Sequence, residues 1–121
     1  MAFQYYAIYK PFGMLSQFSR EHPEHITLAD LDFIFAKDVY PIGRLDKDSE
    51  GLLLLSNDRS INNALLHPQN AHQRSYWVQV EGQITPEALE QLRQGVSIKI
   101  NKKHYSTRPA QAQLLLSLIH I

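Results

Sequence analysis

The sequence predicts an α+β fold built on a mixed, mainly antiparallel sheet with short flanking helices. Three observations predict it. β-Prone and amphipathic segments alternate, but without the regular strand–helix–strand rhythm of a doubly wound sheet. The run Leu52–Leu55, directly after Gly51, is apolar throughout and has the length of a core strand rather than a helix. Clear helix start signals occur at Asp58 and Thr85, and each opens only a short periodic stretch.

The elements follow in chain order. Tyr5-Tyr6-Ala7-Ile8-Tyr9 is aromatic and β-prone, and Lys10-Pro11-Phe12-Gly13 stops it in a turn. Residues 22–27 read as loop. Leu28, Leu31, Ile34 and Phe35 have helical spacing. Tyr40-Pro41-Ile42-Gly43 is extended, and the leucine run 52–55 is a strand expected to be buried on both faces. Asp58 is placed to N-cap a helix carrying Ile61, Ala64 and Leu65, which His67-Pro68 ends. Tyr76–Val80 is a strand by composition. Thr85 as N-cap, Pro86 in the first turn and Gly95 at the end bracket a second helix. Residues 96–100 alternate with period two, and the apolar stretch 110–121 is expected to be a further strand.

With 121 residues and 14.0 kDa, the chain is expected to form one domain over residues 1–121. A hydrophobic fraction of 44% against 20% charged excludes a disordered tail. Cys is absent, which excludes disulfides, a thiolate nucleophile and Cys-based metal sites. No apolar run approaches the roughly 18 residues of a membrane span. The N-terminal residues lack a basic start and a small-residue cleavage site, so the cytoplasm is the expected compartment.

Net charge is zero but unevenly divided. Residues 1–60 carry six basic and nine acidic groups, and residues 61–121 carry six and three. Between Arg93 and Arg108 there are five cations and no acid. Such a run suits either a phosphate-facing surface or an ordinary solvated face, and the latter is the more common.

The densest polar segment runs from Gly43 to Asp58. If Arg44-Leu45-Asp46 is extended, Arg44 and Asp46 share one side and Leu45 the other. A carboxylate at the rim of a core, with a guanidinium near it, is equipped to act as nucleophile or base. Residue types alone equally allow an Asp satisfied by backbone N–H groups in a turn. Asp46-x-Asp48-x-Glu50-Gly51 also matches the opening of a calcium loop, although Asn57 stands where that loop needs a bidentate Glu. His22 and His25 have metal-like spacing but no third ligand nearby in sequence, and read as surface histidines.

The whole stretch Gly43-Arg44-Leu45-Asp46-x-x-Ser49-Glu50-Gly51-Leu52-Leu53-Leu54-Leu55-Ser56-Asn57-Asp58 resembles the signature of a branch of the ribosomal RNA pseudouridine synthases. Two further elements agree in order and spacing: Lys10-Pro11-x-Gly13 after an aromatic strand, and Arg74-Ser75-Tyr76-Trp77-Val78-Gln79-Val80-Glu81-Gly82. The resemblance covers residues 5 to about 113. Within the branch it is greatest to members that act on large-subunit (23S) RNA without a leading S4 domain.

The resemblance implies that a uridine is isomerised to pseudouridine with no cofactor and no metal. Asp46 matches the catalytic aspartate. Arg44 matches the residue that holds the RNA backbone as the target leaves the stack. Tyr76 matches the aromatic that stacks on the flipped base, and Arg74 and Lys10 fall at basic positions of the RNA-binding motifs. Arg74 stands where the family usually has Lys. The implied partner is ribosomal RNA, with no membrane association, and a monomer at full length. The family's later basic segment, of Gly-x-x-x-Gln-x-x-Arg type, would supply a cation near the aspartate. Nothing here matches it, so the chain is expected to correspond to the N-terminal half to two-thirds of such a catalytic domain. A non-catalytic RNA-binding fragment is the alternative.

Overall fold

A computed structural model of the chain describes residues 2–70 and 72–115, and the chain divides into two compact units, Met1–Arg74 and Ser75–Ile121. In the first unit, β1 (Tyr5–Lys10), β2 (Tyr40–Ile42) and β3 (Gly51–Ser56) form an antiparallel sheet with β3 in the centre. Tyr6 faces Leu55 across the β1–β3 ladder, Ile8 faces Leu53, and Lys10 faces Gly51. Pro41 lies on β2, an edge strand, where its missing N–H breaks no central ladder.

Alternation along the strands decides what is inside. Leu53 and Leu55 point into a core shared with Met14, Leu28 and Val39, while Tyr6, Ile8, Phe18, Leu31, Phe35 and Leu45 pack around it. Leu52 on β3 is 69% exposed, as are Tyr5 and Tyr9 of β1 to similar degrees. The expectation that the leucine run is buried on both faces is therefore corrected. It is a central antiparallel strand with one covered face, and the polar face of such a strand is here occupied by leucine.

Phe35 sits at the centre of an aromatic cluster, edge-on to Phe33, Tyr6 and Phe18 with ring centroids 4.8, 5.1 and 5.5 Å away. This cluster explains a second correction. The helical spacing of Leu28, Leu31, Ile34 and Phe35 produces only one 3-10 turn, Leu28–Asp30. Thr27 and Asp30 close it with a reciprocal capping box. Leu31 is already extended, and the chain beyond it carries Phe33 and Phe35 to the cluster without a helix.

The helix α1 (Arg59–Leu66) forms between the expected signals. Asp58 caps its N-terminus by accepting from the Ser60 N–H, and His67 before Pro68 caps its end. Asp58 also accepts from the Ser60 hydroxyl and from the Tyr5 hydroxyl of β1, so one buried carboxylate joins helix and sheet.

The second unit contains α2 (Pro86–Gln94), capped by Thr85 and Gly95 as the sequence predicts, and a hairpin of β4 (Ser97–Ile100) and β5 (Lys103–Ser106). Gly95 has φ 103°, and a Cβ there would lie 2.4 Å from the Thr107 carbonyl oxygen, so only glycine fits. The second strand of this hairpin is a feature the sequence reading missed, because Asn101-Lys102 is a weak turn signal beside Asn-Gly. Two expected strands do not form among the described residues. Residues 76–80 and 110–115 have no ladder partner among the described residues, and composition suits a segment to a sheet without supplying its neighbour. The remainder of the expected C-terminal strand, 116–121, lies outside the described residues. No helix among those residues is long and apolar enough to cross a membrane.

The hydrogen bonds from Ser60, then Tyr5, hold the Asp58 carboxyl below its ordinary value of 3.8. A depressed folded-state pKa gives stability that is present above the unfolded value and is lost as pH falls through the folded one. Asp58→Asn keeps a competent cap but cannot titrate. Its urea midpoint should therefore fall less than that of the wild type between pH 6 and pH 3. Parallel acid limbs for the two proteins would show that Asp58 does not link pH to stability.

Candidate active-site loop

The loop between β2 and β3 carries Arg44 and Asp46, and its position follows from backbone contacts around Asp46. On the N-terminal side, Ser16 grips Leu45 twice. Its hydroxyl donates to the Leu45 carbonyl at 2.8 Å and accepts from the Leu45 N–H at 3.1 Å. The Leu45 side chain is half-buried against the core. On the C-terminal side, the Lys47 carbonyl accepts from the Gly13 N–H at 2.7 Å, and Ser49 N–H closes a turn onto the Asp46 carbonyl at 3.0 Å. Gly13 reaches this position with φ 87°. Asp46 is thus held at the surface between two anchored neighbours.

Arg44, Leu45 and Asp46 are not part of a strand, yet their alternation is the expected one. Arg44 and Asp46 are exposed and Leu45 is turned inward. The calcium-loop reading fails on the same geometry. Its second half would have to be loop, whereas residues 51–56 are β3. His22 and His25 meet edge to face at 4.9 Å, and no group of three potential metal ligands occurs among the described residues.

Lys10 lies differently from the RNA contact expected of it. The side chain is fully buried. Its ammonium donates to the carbonyls of Met14 at 2.7 Å, Pro11 at 2.9 Å and Lys47 at 3.4 Å. An ammonium has three donors, and each finds an acceptor. Burial pushes the Lys10 pKa down, opposed by attraction to the carboxylates of Asp48, Glu50 and Asp46. The buried cation therefore lies beneath an acidic loop and ties it to the end of β1. Glu50 is also engaged by the Tyr9 hydroxyl, which raises the Tyr9 pKa.

The structure brings Lys10, Arg44 and Asp46 to one loop of the first unit. Arg74, in the same unit, is exposed and donates to the Leu65 carbonyl near the end of α1 at 3.2 Å. Tyr76 belongs to the second unit, and its ring is 59% exposed. A cleft of 860 Å³ in the first unit is lined by Arg44 together with Phe18, Phe33, Ile34, Lys37 and Leu66, but not by Asp46. Sequence reading missed Ser16. A lone serine in a loop carries no periodic or motif signal, and its role exists only through contact with a residue 29 positions away.

Comparison with known proteins adds a second line of observation. The family description "RNA pseudouridylate synthase" matches residues 4–115. Ribosomal large subunit pseudouridine synthase E of Xanthomonas axonopodis pv. citri is 47% identical over 107 residues, covering 88% of this chain and 53% of that protein. The E synthase of Vibrio vulnificus is 45% identical, covering 88% and 42% respectively. Ribosomal large subunit pseudouridine synthase B of Bacillus subtilis is 36% identical, covering 92% and 43%. The chain spans about half the length of these relatives. A crystal structure of a pseudouridylate synthase superposes with a TM-score of 0.72 at 21% identity, covering 94% of this chain and 47% of that one. That likeness concerns the fold.

Replacing Lys10 tests how the loop is held. Lys10→Met removes the donor from three carbonyls and leaves that of Met14 without a partner in a dry site. The unfolding free energy should drop by about 2–4 kcal/mol in urea titration. An unchanged midpoint would show that the carbonyl cradle contributes nothing to stability.

Proposed function

The chain belongs to the RNA pseudouridylate synthase family, and from that premise we propose that it serves the isomerisation of a uridine to pseudouridine in large-subunit ribosomal RNA. Both units are read as parts of one catalytic domain of an isomerase that works in the cytoplasm. The observation that carries the reading is the presentation of Asp46. The Asp46 carboxylate stands exposed on a turn whose flanking residues are pinned by Ser16, Gly13 and Lys10, with Arg44 two positions before it. Rigid placement of a reacting group is what such a reaction needs.

In this reaction the N1–C1′ glycosidic bond breaks and a C5–C1′ bond forms. The proton at C5 is lost and N1 gains one, so no oxidant, reductant or cofactor enters the balance. Asp46 is assigned the role of nucleophile at C1′ or of base toward a glycal; either use needs an ionised carboxylate. A target inside a helix hides its glycosidic bond and must be flipped out. Arg44 and Arg74, both exposed cations, are assigned to phosphates of the displaced strand. Tyr76 is assigned to the face of the flipped base. Its exposure supports a stacking role over a place in a strand core. Lys10 is reassigned from RNA contact to positioning residue, because its ammonium is spent on the loop that carries Asp46.

Asp46→Asn tests the central assignment. Pseudouridine in a large-subunit ribosomal RNA transcript is read by carbodiimide tagging and primer extension, since isomerisation leaves mass unchanged. The amide should lower conversion by ~1,000-fold or more, with RNA affinity retained. Turnover near that of the wild type would remove Asp46 from the chemistry. Wild-type binding without conversion would replace the isomerase by an RNA-binding module.

For Tyr76, Phe should preserve RNA affinity because the stacking face remains, whereas Ala should weaken the productive complex by ~1–3 kcal/mol. Equal, small losses from both substitutions would assign the ring to packing alone.

A further inference from the structure

The basic run that the site leaves unused has a definite shape. Strands β4 and β5 are joined by only two residues, Asn101 and Lys102, with φ of 51° and 67°. Left-handed backbone at both positions is the type I′ geometry of tight hairpins. Asn accommodates the first position well. The second is where glycine is favoured, and a lysine stands there against its own conformational preference.

Lys102 is not alone. Lys103 follows it and pairs with Ile100, and Lys99 pairs with His104 on the opposite face. Three lysines therefore fall within five successive positions at an exposed tip, spread over both faces of the hairpin. None of the three takes part in an ion pair among the described residues, and the stretch 93–108 contains no acid. Folding gains nothing from this arrangement. The successive cations Lys102 and Lys103 gain no ion pair among the described residues, and the turn would be easier with glycine. A local rule broken twice at one exposed place points to a ligand that rewards it.

We propose that the tip of the β4–β5 hairpin, through Lys99, Lys102 and Lys103, is a phosphate-gripping element that docks RNA outside the reacting loop. The inference rests on the RNA reading above and extends it to a surface that the catalytic motifs do not include. Polyanion chemistry follows from three unpaired cations. The turn residues Asn101 and Lys102 are polar, and on the flanks, beside the exposed Ile98 and Ile100, Tyr105 is 49% exposed and offers a face for a base. The grip is independent of base sequence, because phosphate contacts position RNA without reading it.

The test is binding of a fluorescein-labelled 30-nucleotide RNA stem-loop, followed by anisotropy across a series of potassium chloride concentrations. Replacing all three lysines with Gln should reduce the slope of log affinity against log salt by about 2 and weaken binding ~10-fold or more at moderate salt. Replacing all three with Arg should preserve both. Lys102→Gly is the sharpest variant. It should leave the hairpin at least as stable, by circular dichroism and urea titration, while reducing the salt slope by about 0.7–0.9. An unchanged slope in the folded triple Gln variant overturns the proposal. So does loss of binding to phosphatidylserine vesicles with RNA binding intact. Pseudouridine formation, assayed in parallel, separates the two readings. Lysine-dependent salt behaviour without conversion removes the isomerase and leaves the docking element. Conversion with an unaltered slope does the reverse.

Discussion

The buried ammonium of Lys10 is the contact on which the site-bearing unit depends. It ends β1, and its three donors reach a carbonyl in the following turn, a second at Met14 and a third in the loop after Asp46. A lysine stripped of water is costly unless each donor is satisfied, and here each is. One side chain thus joins the turn after β1 to the loop after Asp46. Gly13 adds a backbone bond to the same Lys47 carbonyl, and Ser16 fixes Leu45 on the other side of Asp46. The Asp46 carboxylate is held through its neighbours' main chain, which leaves its own oxygens exposed.

The same economy recurs at Asp58. That carboxylate caps α1 and accepts from Tyr5 on β1, so the helix after β3 is tied to the strand that pairs with β3. Sheet, helix and the β2–β3 loop are coupled by two charged side chains, one of each sign, both buried. Around them the apolar core is small, and the outer face of the sheet leaves Tyr5, Tyr9, Tyr40 and Leu52 exposed. Polar ties to backbone carry a share of the order that a larger domain would leave to burial.

The two units differ in the chemistry they present. The first presents the Asp46 carboxylate on an anchored turn, with Arg44 two positions before it. The second presents an exposed aromatic and a cationic hairpin.

By itself the sequence determined the family, the α+β class, both helices with their caps, the three strands of the first sheet and the alternation that exposes Arg44 and Asp46. These are local signals: capping residues, Pro and Gly punctuation, period-two patterning and a long contiguous motif. Tertiary structure alone decided four other matters. It turned Lys10 from a surface cation into an internal tie, because burial depends on what folds over a residue and not on its type. It gave Ser16 a role through a partner 29 positions away. It stopped the 28–35 segment at one 3-10 turn, since an aromatic cluster engages Phe33 and Phe35 without a helix. Finally, it paired β4 with β5 while leaving 76–80 and 110–115 without a ladder among the described residues. A strand is a relation between two segments, and propensity describes only one of them.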